Sequence, residues 1–157
     1  MALQPPQHSM NTIVTFIAFS DLTPRLIEQT ERFAKVLDAQ VILAHLLPPE
    51  PFVMDMAGVI PMTSQEQRQK MIDADGERLL DLADRLNREG LKTQAEQLVN
   101  ADIETAMEAC GRWKADLLIV GSHHHNAIYN VFVGSFRDKL LKAAHCPVLV
   151  VPEIAVQ

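Results

Sequence analysis

The chain has little cysteine, no excess of positive charge and no long apolar run, and each shortage removes a class of function. Cys110 and Cys146 are the two cysteines, far apart in sequence and in no C-x-x-C pair. They fit reduced, buried thiols of a cytoplasmic protein rather than a disulfide framework. The formal net charge of −6 argues against a basic surface for generic nucleic-acid binding. No apolar run approaches the roughly 20 residues needed to span a membrane. The first ten residues, MALQPPQHSM, lack the charged and apolar regions of a signal peptide and read as a disordered leader. No G-x-x-x-x-G-K-S/T phosphate loop is present, and no G-x-S-x-G nucleophile elbow or separated triad can be read. There is no linker between two cores and no internal repeat, so one domain is expected over residues 11–157.

What is present alternates between two periods. Residues 11–19, NTIVTFIAF, are β-branched and apolar and predict a central strand. Thr23 with Pro24 behind it predicts a helix start. Leu26, Thr30, Phe33, Ala34 and Leu37 then share one face to about Asp38. VILAHLL, residues 41–47, predicts a second buried strand. Residues 48–63 hold four prolines and three methionines at no clear period, which is too much proline for a long helix. They are expected to form a long loop, either a lid or partner surface or a plain excursion over a little core.

Ser64 and Gln67 match a capping box for a helix reaching about Glu89. Met71, Ile72, Leu79, Leu82, Ala83 and Leu86 are expected to face inward. Gly76 weakens its middle and Gly90 closes it. Residues 92–99 predict an edge strand. Asp102 caps a helix whose apolar face is Ile103, Ala106, Met107, Cys110 and Trp113.

The stretch from Asp116 onward carries the chemistry. Leu117 to Val120 is a continuous apolar run, ended by Gly121 and followed by a His-rich loop. Gly134 and Ser135 are expected to open a helix with Phe136, Leu140, Leu141 and Ala144 on one face. Pro147 stops it, and Val148–Val151 predicts a last buried strand at a sheet edge. Glycine at a strand's carboxyl end admits a close ligand, and Gly-Ser at a helix start offers N–H groups to a phosphate.

Strands alternating with helices predict an α/β fold with a doubly wound, five-stranded parallel sheet, order 3-2-1-4-5, and helices on both faces. In such a sheet the ligand sits at the strand ends flanking the reversal of order. That places Asp21, after the first strand, beside Gly121, after the fourth.

Here the chain resembles the universal stress protein family over nearly all of its length from Asn11. The family's most specific mark is G-x-x-G, nine residues, then G-S or G-T. This chain has Gly121-Ser122-His123-His124, nine residues, then Gly134-Ser135, preceded by LLIV and followed by CPVLVV. FSDLT resembles the family's aspartate segment and VILAHLL its second strand. The departure is His124, which stands where the family has its second glycine.

The resemblance implies a Rossmann-like fold of the adenine nucleotide alpha hydrolase kind. It further implies a stress-response regulator or sensor binding ATP or another adenine nucleotide with Mg²⁺ or Mn²⁺. By the same resemblance Asp21 would lie near the phosphates and the divalent metal, and Leu46 would offer backbone to the adenine edge. Gly121, His123 and His124 would pass under the ribose and phosphates. Gly134 and Ser135 would bind phosphate oxygens, and Phe136 would add a backbone N–H. Slow ATP hydrolysis is the most expected, because rapid phosphoryl transfer needs more charge-stabilising groups than are seen. The alternative is a nucleotide-free dimeric interaction module in which His124 blocks the site. Either way the family implies a homodimer through Val148–Val151.

Blander readings stand beside these. Gly121 and Gly134 serve as turn glycines anywhere, and Asp21 alone reads as a turn or cap residue. His45, in an apolar strand, reads as a hydrogen-bonded core histidine. Three consecutive histidines, His123 to His125, cannot easily face one ion, so no transition-metal site is expected.

Overall fold

The computed structural model describes residues 9–49, 52–55, 58–61, 64–122 and 130–154. In chain order the elements are β1 Thr12–Phe16, α1 Thr23–Leu37, β2 Gln40–Leu47, β3 Phe52–Asp55, β4 Gly58–Pro61 and α2 Gln65–Arg88. β5 Thr93–Val99, α3 Ile103–Arg112, β6 Leu117–Gly121, α4 Asn130–Ala143 and β7 Val148–Val151 follow. Five strands form one parallel sheet in the order β5-β2-β1-β6-β7, which is the expected order with the hairpin strands set aside.

The strands read as continuous apolar runs because both faces are covered. Side chains alternate between faces, so neighbouring residues go to opposite cores. Ile13, Val41, Leu43, Leu117 and Ile119 pack with Leu26, Ile27 and Ala34 of α1 and Leu79, Ala83 and Leu86 of α2. Val14, Ile42, Ala44, Leu118 and Val120 pack on the other face with Ala106 and Cys110 of α3 and Leu140 of α4. Each fully buried Leu or Ile contributes about 2 kcal/mol by leaving water. Met10 also packs against the first core.

A pair of hydroxyls is buried among these side chains. Thr15 Oγ1 and Thr30 Oγ1 lie 2.8 Å apart, and Thr30 Oγ1 donates to the Leu26 carbonyl at 2.7 Å. Thr30 has one hydroxyl proton, already used on Leu26, so Thr15 is the donor in the pair. At the far end of β1, Asp116 Oδ2 accepts from the N–H groups of Asn11 and Thr12 at 2.8 and 3.0 Å. That carboxylate fixes the start of β6 against the start of β1.

Several expectations are confirmed in detail. Ser64 Oγ accepts from Gln67 N–H while Gln67 Oε1 accepts from Ser64 N–H, which completes the capping box. Asp102 caps α3 by accepting from Thr105 N–H, and Gly90 takes φ +92 behind α2. Those bonds to Thr105 hold the Asp102 carboxyl below its ordinary pKa. Cys110 and Cys146 are free, and burial pushes Cys110 up to about 12, with the Cys146 thiol adding to the shift.

Other expectations are corrected. Residues 48–63 do not form a plain loop, since β3 and β4 pair antiparallel as a separate hairpin with Phe52 opposite Pro61 and Asp55 opposite Gly58. Proline is tolerated there because the pair has only edges. β1 stops at Phe16, three residues short of the apolar run, because Phe19 leaves the extended region at φ 49. Leu22 rather than Thr23 is the N-cap of α1, and Thr23 Oγ1 instead accepts from Ser20 N–H at 3.0 Å. Met71 and Leu141 point outward and are exposed. α4 starts at Asn130, four residues before Gly134. No helix among the described residues is long and apolar enough to cross a membrane.

Candidate functional site

The chain runs from β1 to β2 to β5 on one side of the sheet, then returns to β6 and β7 on the other. The reversal lies between β1 and β6, which pair through Ile13–Leu117, Val14–Leu118 and Thr15–Ile119. The carboxyl ends of these two strands carry the expected residues, and the structure brings them together. Leu22, directly after Asp21, lies on Gly121: a Cβ built on Gly121 would stand 2.5 Å from Leu22 Cδ2. A side chain at 121 would therefore have to displace the Leu22 methyl that packs on this glycine. This is a second reason for Gly121 besides the ligand approach expected from sequence.

The turn itself is short and internally bonded. Thr23 N–H donates to the Ser20 carbonyl at 2.9 Å, and Leu22 N–H donates to Ser20 Oγ at 3.3 Å. Asp21 is exposed at its apex, next to the amino end of α1. The dipole of that helix adds partial positive charge beside the carboxylate.

Leu46 is the next expected residue. The last register pair between β1 and β2 is Phe16–Ala44, while β2 runs on through Leu47. Leu46 thus lies beyond the β1 ladder, where backbone can face a ligand, with its side chain packed against the second core. On its other side it still pairs with Leu98 of β5.

The end of β6 is tied down from three directions. Ser122 N–H donates to the Val151 carbonyl at 2.9 Å, and Ser122 Oγ accepts from Glu153 N–H at 3.1 Å. Arg137 Nη1, from α4, reaches the Ser122 carbonyl at 3.4 Å. This return of Arg137 to the loop after Gly121 depends on tertiary packing and has no local signal in the sequence. His123 and His124 lie outside the described residues, as does His125.

Gly134, Ser135 and Phe136 are the fifth, sixth and seventh residues of α4. An N–H that far inside a helix closes an intrahelical bond, and the free N–H groups belong to the first turn. The expected backbone donation from Gly134, Ser135 and Phe136 does not fit this placement. The Phe136 ring instead packs edge-on against Phe16, with centroids 5.4 Å apart and planes at 71°. That contact seats α4 beneath the carboxyl end of β1.

One cluster was not expected. Phe19 holds φ 49, a backbone region that costs a bulky L residue roughly 1–2 kcal/mol. Its ring contacts the His45 imidazole, 4.8 Å between centroids, and the Arg78 guanidinium, 4.1 Å from the ring centroid. His45 is buried, with Nδ1 2.7 Å from the Ile17 carbonyl, so Nδ1 carries a proton and donates. Asp75 of α2 meets His45 Nε2 through Oδ2 at 3.3 Å and Arg78 through Oδ1 at 3.4 Å. His45 as a bonded core histidine is confirmed. Its partners could not be read from sequence, because Phe19, His45 and Asp75 meet only through the fold.

Gly76 helps to bring this helix in. A Cβ there would stand 3.0 Å from Gln97 Oε1, and Gln97 Nε2 donates to the Ile72 carbonyl at 2.9 Å. The mid-helix glycine thus permits α2 to close on β5 next to Asp75.

Comparison with known proteins agrees with this architecture. The sequence model of the Universal stress protein family matches residues 10–152. Universal stress protein MJ0531 of Methanocaldococcus jannaschii is 28% identical over 133 residues, 84% of this chain and 76% of that protein. A universal stress protein solved in complex with cAMP is 22% identical, with a TM-score of 0.63, covering 92% of this chain and 98% of its own. The universal stress protein from Archaeoglobus fulgidus solved in complex with dAMP is 19% identical, with a TM-score of 0.59, covering 90% of this chain and 96% of its own. At these identities the solved structures establish the shared fold.

Proposed function

The chain belongs to the universal stress protein family, and from that premise we propose that it binds an adenine nucleotide as a stress-response regulator or sensor. The observation that carries this reading is the meeting of the Asp21 turn and Gly121 at the reversal of strand order, which is where ligands of such sheets sit. Two relatives of the same fold were solved with cAMP and dAMP, in support.

In this reading Leu46 presents backbone to the adenine edge, and Gly121 passes under the ribose with His123 and His124. The phosphates lie toward the amino end of α4, where the helix dipole favours an anion. Gly134 keeps the next turn slim, and Ser135 adds its hydroxyl. Asp21 and the phosphates are both negative, so a divalent cation is needed between them. Mg²⁺ suits one carboxylate plus phosphate oxygens and retained waters, and Mn²⁺ accepts the same ligands. The sequence has no phosphate-loop lysine motif, so slow hydrolysis at most is expected, no more than about a few turnovers per second.

The active form is a homodimer. β7 is an edge strand of four apolar residues, and three of them are only partly buried. Such an edge invites pairing with its own copy across a two-fold axis. Two free thiols suit a reducing, cytoplasmic setting.

Acid extraction of protein purified without added nucleotide, followed by calorimetric titration with ATP and Mg²⁺, tests the binding. Micromolar affinity that is lost in Asp21→Ala supports it. Absence of binding to millimolar ATP favours the nucleotide-free module, with His124 closing the site.

A further inference from the structure

Phe19, His45, Asp75 and Arg78 form a closed ring of contacts that the nucleotide reading does not use. Arg78 lies over Phe19, Phe19 against His45, His45 bonds Asp75, and Asp75 bonds Arg78. A second bond, from His45 Nδ1 to the Ile17 carbonyl, anchors the ring to the end of β1. Three separate elements meet in it: the β1–α1 turn, β2 and α2.

The ring has a specific mechanical effect. Phe19 is the residue whose left-handed backbone turns the chain out of β1, directly before Ser20 and Asp21. A glycine would adopt that conformation freely, whereas phenylalanine adopts it only if its side chain is held. Here the ring is held by an imidazole tilted against it at 57° and by a guanidinium over one face. One carboxylate lies against both of those groups, bonding Arg78 and, when both ring nitrogens carry protons, His45 Nε2 as well.

We propose that Phe19, His45, Asp75 and Arg78 are positioning residues that set the direction of the Ser20–Asp21 turn and so place Asp21 for the phosphate-bound cation. The second half of this statement rests on the nucleotide reading; the first half does not. The cluster also makes α2 part of the site's framework, although α2 contributes no residue to the proposed nucleotide contacts.

Arg78→Gln is the most informative variant, because the Arg78 side chain is 58% exposed and its loss opens no cavity. Phe19→Gly is the second, since it removes the clamped ring and relieves the backbone at the same time. Arg78→Lys keeps a cation beside the ring and serves as the rescue. Two readouts separate the claims. Amide hydrogen exchange of nucleotide-free protein follows the N–H groups of Ser20, Leu22 and Thr23, which are bonded within the turn. Calorimetry follows ATP affinity in the presence of Mg²⁺.

Exchange at these three amides should quicken by roughly tenfold in Arg78→Gln and Phe19→Gly, with the α1 interior unchanged. ATP affinity should fall by about tenfold in both, with most of it regained in Arg78→Lys and with unfolding temperatures close to wild type. Unchanged exchange in both variants overturns the proposal, because the turn then holds its direction without the ring. Quickened exchange with unchanged ATP affinity overturns its link to Asp21. If wild-type protein binds no ATP, the nucleotide reading fails, and exchange alone still decides whether the cluster fixes the turn.

Discussion

Replacing Gly121 by alanine isolates the packing role of this glycine from its role beside a ligand. The added Cβ would lie 2.5 Å from Leu22 Cδ2 and 3.6 Å from Leu26 Cδ1. Carbon atoms in good contact sit about 3.5–4.0 Å apart, so Leu22 must give way by roughly 1 Å. Leu22 and Leu26 are 4% and 3% exposed, so neither can swing out into solvent. Overpacking of this kind costs about 1–3 kcal/mol. For a chain of this size that lowers the unfolding temperature by roughly 2–10 °C.

Leu22→Ala alone should cost about 2–5 kcal/mol through the lost burial and the void. In the double variant the alanine at 121 enters the space that Leu22 has left. The two changes should then couple favourably by about 1–2 kcal/mol. Urea unfolding followed by circular dichroism, at one fixed protein concentration, measures all four corners of this cycle. A Gly121→Ala variant within about 0.5 kcal/mol of wild type, or strictly additive changes, would refute the reasoning. ATP titration of the same proteins then shows whether the double variant, once repacked, also regains the ligand.

Three further outcomes are expected. Thr30→Val leaves the fully buried Thr15 hydroxyl without its acceptor and should cost about 1–3 kcal/mol, much of it regained when Thr15→Val is added; denaturant midpoints of the two variants check this. Cys110, with its thiol pushed up to about 12 mainly by burial, stays protonated in the folded chain while an unfolded thiol ionises near its ordinary pKa. Its contribution is therefore complete below that ordinary value and is lost as pH rises toward about 12, and iodoacetamide at pH 8 should label Cys110 only as fast as the protein unfolds. A charged residue in the edge strand, Val150→Glu, should shift the particle from dimer to monomer in light scattering, and a wild-type monomer at micromolar concentration would contradict the dimer outright.

The sheet was legible because it is written in local pattern. Continuous apolar runs, glycine and proline at their ends, and apolar helical faces such as that from Ile103 to Trp113 give the elements in order. The reversal between β1 and β6 then follows from the crossover rule. The hairpin was not legible: its strands are four residues each, proline borders it, and Met56-Ala57 is not a recognised two-residue turn. The start of α4 was misplaced because residues 131–133, Val-Phe-Val, are poor helix formers while Gly134-Ser135 resembles a helix start. The left-handed Phe19 and the contact of Leu22 with Gly121 depend on residues distant in sequence, and no local period records them. Asp21 and Gly121 follow neighbouring strands, as the strand order predicts, and no local pattern marks Leu46. Gly134, Ser135 and Phe136 lie inside α4 rather than at its start.

One titration decides whether this chain binds an adenine nucleotide between the Asp21 turn and the loop after Gly121. Protein stripped of bound nucleotide is titrated with ATP in the presence and absence of Mg²⁺, wild type beside Asp21→Ala. The account predicts micromolar binding that depends on Mg²⁺ and is lost in Asp21→Ala. No binding of wild type at millimolar ATP, or equal binding by Asp21→Ala with and without the cation, would contradict it.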